Sequence, residues 1–82
     1  MKTKELILAY IKRGFNGCHL RSSNDVVERL KKDFGCNITA TTTEHSLILT
    51  FDVEEGLAIQ FDLQTNPLNG LKNWCTNIKI VE

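Results

Sequence analysis

Every thiol and imidazole in this 82-residue chain belongs to one of five residues, Cys18, His19, Cys36, His45 and Cys75. Their spacing is the first test of metal or nucleophilic chemistry. Structural zinc sites show paired ligands, such as Cys-x-x-Cys or His-x-x-x-His, and no such pair occurs here. Cys18 and His19 are sequence neighbours, which would reach one ion only through an unusual local backbone. A thiol or serine nucleophile needs a base and an orienting acid brought together by the fold, and no Gly-x-Ser-x-Gly motif marks such an arrangement. The carboxylates Asp52, Glu54, Glu55 and Asp62 are numerous enough for acid-base work, but such groups need a cleft to split their pKa values, whereas acids at a hairpin tip sit in water. There is no P-loop and no Gly-x-Gly-x-x-Gly. These residues predict a protein that is not an enzyme and carries no metal or cofactor.

The elements that position these residues follow from hydrophobic periodicity. From Ser46 to Leu63, apolar residues alternate at Leu47, Leu49, Phe51 and Val53, then at Leu57, Ile59, Phe61 and Leu63, which predicts a β-hairpin. Glu54-Glu55-Gly56 suits a three-residue loop closed by a left-handed glycine. The implied register pairs Val53 with Leu57, Phe51 with Ile59, Leu49 with Phe61 and Leu47 with Leu63, with all these side chains on one face.

Before the hairpin, Thr3 can cap a helix with an apolar sector of Leu6, Ile7, Leu8, Tyr10, Ile11 and Phe15, ended by Gly14 and Asn16-Gly17. Ser22-Ser23-Asn24-Asp25 is the capping signal of a second helix, with Val26, Val27, Leu30 and Phe34 inward and Gly35 as its stop. The period then becomes two. Cys36, Ile38, Ala40 and Thr42 alternate with polar residues, placing Ala40 opposite Leu49 and Ile38 opposite Phe51 across a loop at Thr43 to Ser46. QTNPLNGLKN, residues 64–73, is a surface loop, and Trp74, Thr76, Ile78 and Ile80 alternate into a last strand with Trp74 in the core. The expected fold is α+β: two N-terminal helices packed on one face of a four-stranded antiparallel meander sheet, ααββββ, in a single domain spanning residues 1–82. Its open face is expected to carry Asn37, Thr39, Thr41, Ile48, Thr50, Asp52, Ala58, Gln60, Asp62, Cys75, Asn77 and Lys79.

The net charge is zero but unevenly spread. Through Gly35 there are eight bases and four acids, and from Cys36 onward two bases and six acids. The amphipathic opening does not suit a signal peptide, and no segment approaches the roughly 20 apolar residues that span a bilayer. An odd number of irregularly spaced cysteines predicts reduced thiols and a cytoplasmic location.

KELILAYIKRG, then RSSNDVVERLKKDFG and NITATTTEHSL, together resemble the opening of winged-helix repressors, the arginine-repressor type especially. The resemblance implies a DNA-binding regulator with Thr39 to Leu47 as reading helix and the central hairpin as wing. The would-be reading segment contains no Lys or Arg, and the hairpin end reads Asp-Val-Glu-Glu-Gly, so the charge pattern favours a protein over nucleic acid. The leading expectation is a non-enzymatic protein-binding module, such as an inhibitor, an immunity-type antidote or an adaptor. Its contact residues are Asp52, Glu54, Glu55 and Asp62 toward a basic protein, or Arg29, Lys31 and Lys32 at the basic end. No membrane partner is expected, and an exposed edge strand leaves a homodimer open.

Overall fold

In a computed structural model that describes residues 3–53 and 56–81, two helices precede four strands. They are α1 (Thr3–Phe15), α2 (Ser23–Phe34), β1 (Ile38–Thr42), β2 (Ser46–Phe51), β3 (Leu57–Gln64) and β4 (Trp74–Ile80). The strands form one antiparallel sheet in the order β1-β2-β3-β4, the expected meander. α1 lies against β4 and α2 against β1.

Local chemistry sets the helix ends. Ser22 adopts extended backbone and its hydroxyl accepts the Asp25 N–H at 3.2 Å, satisfying one of the donors that a helix start leaves free. At the other end Gly35 takes a left-handed conformation, φ 66°, and gives its N–H to the Lys31 carbonyl. The buried stripes are Ile7, Ile11 and Phe15 on α1 and Val26, Val27 and Leu30 on α2. Leu6 and Tyr10 do not belong to the core, contrary to the broad sector expected, because the sheet covers only one side of α1 and these two turn away from it. Tyr10 still packs edge-on against Phe34, with ring centroids 5.1 Å apart, and donates its hydroxyl to Asp33 at 2.7 Å.

The inner face of the central hairpin consists of Leu47, Leu49, Phe51, Leu57, Ile59 and Phe61, all buried. β1 pairs with β2 in the expected register, Ala40 opposite Leu49 and Ile38 opposite Phe51, although Ala40 itself stays exposed. The β2–β3 register differs from the expected one by two residues. Phe51 faces Leu57, Leu49 faces Ile59 and Leu47 faces Phe61, so five residues, 52–56, connect the strands. A two-residue slip keeps every side chain on its face, and alternation therefore cannot distinguish the registers. Val53 leaves the ladder: its N–H turns back to the Phe51 carbonyl at 2.9 Å, and its own carbonyl accepts the Gly56 N–H at 2.8 Å. Gly56 is left-handed, φ 74°, as its role in the turn requires.

The segment Thr39 to Leu47, the reading helix that the winged-helix resemblance implies, is instead strand, turn and strand. Its run of β-branched threonines suits an extended pleat.

A second correction concerns β4. Asp62 faces Thr76 and Gln60 faces Lys79, so Phe61 alone on β3 opposes both Asn77 and Ile78. This is a β-bulge, with Asn77 at φ 48°. The extra residue reverses the phase of the strand. Cys75, expected outside, is fully buried, whereas Trp74, expected in the core, is only half-buried on the outer side beside Gln64. Gly17 to Leu20 then add a short rung to the edge of β4, through Gly17 N–H to the Cys75 carbonyl, Cys75 N–H to the Cys18 carbonyl and Leu20 N–H to the Asn73 carbonyl.

The bulge conformation favours glycine or asparagine over a β-branched residue. Asn77→Val is expected to lower the free energy of unfolding by about 1–3 kcal/mol, and Asn77→Gly by less than about 1 kcal/mol, in urea titrations followed by circular dichroism.

Candidate functional site

Because both helices lie on one face of the sheet, the other face is open, and its alternate residues on β3 and β4 form a hydrogen-bonded polar surface. The Gln60 side-chain amide donates to one Asp62 carboxylate oxygen at 2.9 Å, and the Asn77 amide donates to the other at 2.8 Å. Beside them Gln64 donates to the Thr76 hydroxyl at 3.1 Å. Asp62 therefore has both oxygens engaged. The bond from Asn77 and then that from Gln60 favour the charged form and hold its carboxyl below the ordinary value of 3.8. Asn77 is the residue at the bulge of β4, and its amide reaches this carboxylate on the neighbouring strand.

The other expected contact residues are distributed as follows. Asp52 is exposed just beyond the end of β2, while Asp62 faces Ser46 at the opposite end of the hairpin. At about 3.3 Å per strand residue, the separation is on the order of 15–20 Å, so these two acids do not form one cluster. Glu54 and Glu55 lie outside the described residues. Arg29, Lys31 and Lys32 lie on α2, in the layer behind the sheet, with Arg29 and Lys32 exposed and Lys31 half-buried. The Arg29 guanidinium sits over the Phe15 ring, 5.1 Å from its centroid.

The loop between β3 and β4 is more ordered than its composition implies. The buried Asn66 accepts the Leu68 N–H on its side chain, gives its own N–H to the Leu71 carbonyl and accepts the Gly70 N–H on its carbonyl. Asn69 similarly accepts the Leu71 N–H. These two Asx turns present Leu68, 94% exposed, and Leu71 on a firm backbone. Asn66-Pro67 and Asn69-Gly70 were the available signal, but local turn chemistry does not say that Asn66 would be buried against His19.

The cysteines and histidines do not converge. Among the described residues no group of three or more His, Cys, Asp or Glu side chains is placed to hold a metal ion. Cys18 is exposed, Cys36 half-buried and Cys75 buried. Burial, followed by the nearby Cys18 and Asp62, pushes the Cys75 thiol up to about 12. His45 is exposed in the β1–β2 turn, its Nε2 3.9 Å from Glu44. Among the described residues no helix is long and apolar enough to cross a membrane.

Set against known proteins, the chain matches no family, no curated protein and no solved structure.

Two outcomes follow from the perturbed groups. Asp62 binds its proton less readily in the folded than in the unfolded chain, so its contribution to stability is present above pH 3.8 and is lost as pH falls through the lowered folded value. Gln60→Ala should move the Asp62 titration midpoint upward toward 3.8, read from side-chain carboxyl shifts by NMR. Thiol labelling at pH 8 should modify Cys18 in the native protein and spare Cys75 until denaturant is added, because Cys75 is both buried and protonated.

Proposed function

We propose that this chain is a non-enzymatic protein-binding module, of the inhibitor, antidote or adaptor kind, that works in the cytoplasm and uses the outer face of its sheet toward a basic partner. The observation that carries this reading is the Gln60–Asp62–Asn77 network, a carboxylate fixed by two amides on an uncovered sheet face. Side chains already ordered before contact lose less rotamer entropy on binding, which otherwise costs about 0.5–1.5 kcal/mol for each one immobilised. An ionised acid on a polar face steers encounter with a positive surface. Asp52 extends the negative charge toward one end of the face, and Trp74 supplies a half-buried aromatic at the other, its indole N–H given to the Gly17 carbonyl at 3.2 Å. An aromatic that is apolar on its ring and satisfied at its nitrogen suits the centre or rim of a protein contact.

The experiment is affinity capture from the native cells' lysate, run with and without nuclease and compared between the wild-type chain and the Asp62→Lys and Glu54→Lys/Glu55→Lys variants. One protein enriched regardless of nuclease, and reduced at least about tenfold by Asp62→Lys, is the expected result; charge reversal across a contact costs over about 1.4 kcal/mol. Enrichment that disappears with nuclease, or that ignores all three substitutions, would remove the reading.

A further inference from the structure

On the helical side, away from the open sheet face, the end of α1, the connector and the start of α2 enclose a cleft of about 210 Å³. Phe15, Leu20 and Val26 provide apolar walls, and Arg21, Arg29 and His19 also line it. We propose that this cleft binds a small organic phosphate monoester, with the phosphate on the two guanidinium groups and the carbon body against Phe15, Leu20 and Val26.

Four observations carry the assignment. The Arg29 guanidinium lies over the Phe15 ring, 5.1 Å from its centroid, which holds its charge at the cleft wall. Neither Arg21 nor Arg29 is ion-paired to a described carboxylate, even though Asp25 lines the same cleft one helical turn before Arg29. Two guanidiniums against the single described carboxylate that lines the cleft leave excess positive charge, which a phosphate dianion complements better than a monoanion does.

His19 is the third polar group. The Asn66 side-chain oxygen accepts the Leu68 N–H at 2.9 Å, and its side-chain nitrogen lies 3.4 Å from His19 Nε2, which ties the ring to the β3–β4 loop. Its ring lines the cleft beside the two arginines. Size is the fourth consideration. Sites for drug-sized ligands run from about 300 to 1,000 Å³, so this cleft suits a phosphate with one ring or a short chain. Such a group occurs both as a free ester and as a phosphorylated side chain. The site does not depend on the sheet-face reading, because it uses the other layer of the molecule.

The test is a ¹⁵N NMR titration of the full chain with phenyl phosphate, alongside benzoate and phenol. Saturable shifts confined to residues 14–29, with a dissociation constant near or below about 1 mM, are expected, together with at least about tenfold weaker binding of benzoate and no saturation by phenol. Arg21→Gln and Arg29→Gln should each weaken phenyl phosphate about tenfold, and Asp25→Asn should tighten it severalfold. Shifts that do not saturate and spread to Lys4, Lys12 and Lys32, benzoate binding equal to phosphate, or unchanged affinity in Arg29→Gln would each overturn the proposal. Should a variant fail to fold, the wild-type comparison of phosphate, carboxylate and neutral ring decides it. A phosphotyrosine peptide binding at least about tenfold more tightly than phenyl phosphate assigns the site to phosphorylated protein, and equal affinity assigns it to a free ester.

Discussion

Six side chains on the inner face of the β2–β3 hairpin, Leu47, Leu49, Phe51, Leu57, Ile59 and Phe61, must leave water together, and the other elements are arranged to make that possible. Each contributes about 1.5–3 kcal/mol when fully buried, so exposing the face would remove most of what holds a chain this size folded. A sheet alone cannot cover it. α1 presents Ile7, Ile11 and Phe15, and α2 presents Val26, Val27 and Leu30, giving two stripes whose spacing matches a helix lying on a pleated surface. Edge-on contacts of Phe15 with Phe61 and of Phe34 with Phe51 join the layers. With both helices committed to one face, the polar chemistry of β3 and β4 is displayed on the other.

The bulge at Asn77 links that packing to the candidate surface. One additional residue in β4 sends Cys75 inward, where it fills the core as a protonated thiol, and brings Trp74 and Thr76 to the outer side. Asn77, at the bulge itself, donates its amide to Asp62. A regular strand continued from the Gln60–Lys79 pair would have placed Cys75 on the surface, opposite Gln64. The strand's departure from regularity is thus the local cause of the burial of Cys75 and of the outward placement of Trp74.

Charge is divided by layer as well as by sequence. The two helices carry most of the basic residues, and Arg21 and Arg29 gather on the cleft where the helices meet. Asp52 and Asp62 belong to the sheet side. The zero net charge therefore conceals two surfaces of different character, one positive and concave, the other polar and flat, which suit different ligands.

How much of this was legible depended on the range of the interaction. Ser22 and Gly35 announce the ends of α2 through hydrogen bonds within a few residues, so they can be read without knowing the fold. The faces of the hairpin residues in β2 and β3 also follow from alternation, because a pleat has a period of two, and the short Thr43–Ser46 loop fixed the β1–β2 register. The two-residue slip at Val53 was invisible because it preserves that alternation. Leu6 and Tyr10 look like core in a helical projection, and only the position of the sheet shows that they face away from it. The placements of Cys75, Trp74 and Asn66, the amides around Asp62 and the pairing of Arg29 with Phe15 rest on contacts between distant segments. By itself the sequence determined the elements and their faces, since these arise from local backbone and side-chain periodicity. Only the tertiary structure decided register, bulge and site, because these depend on which distant groups compete for the same hydrogen bonds and the same buried space.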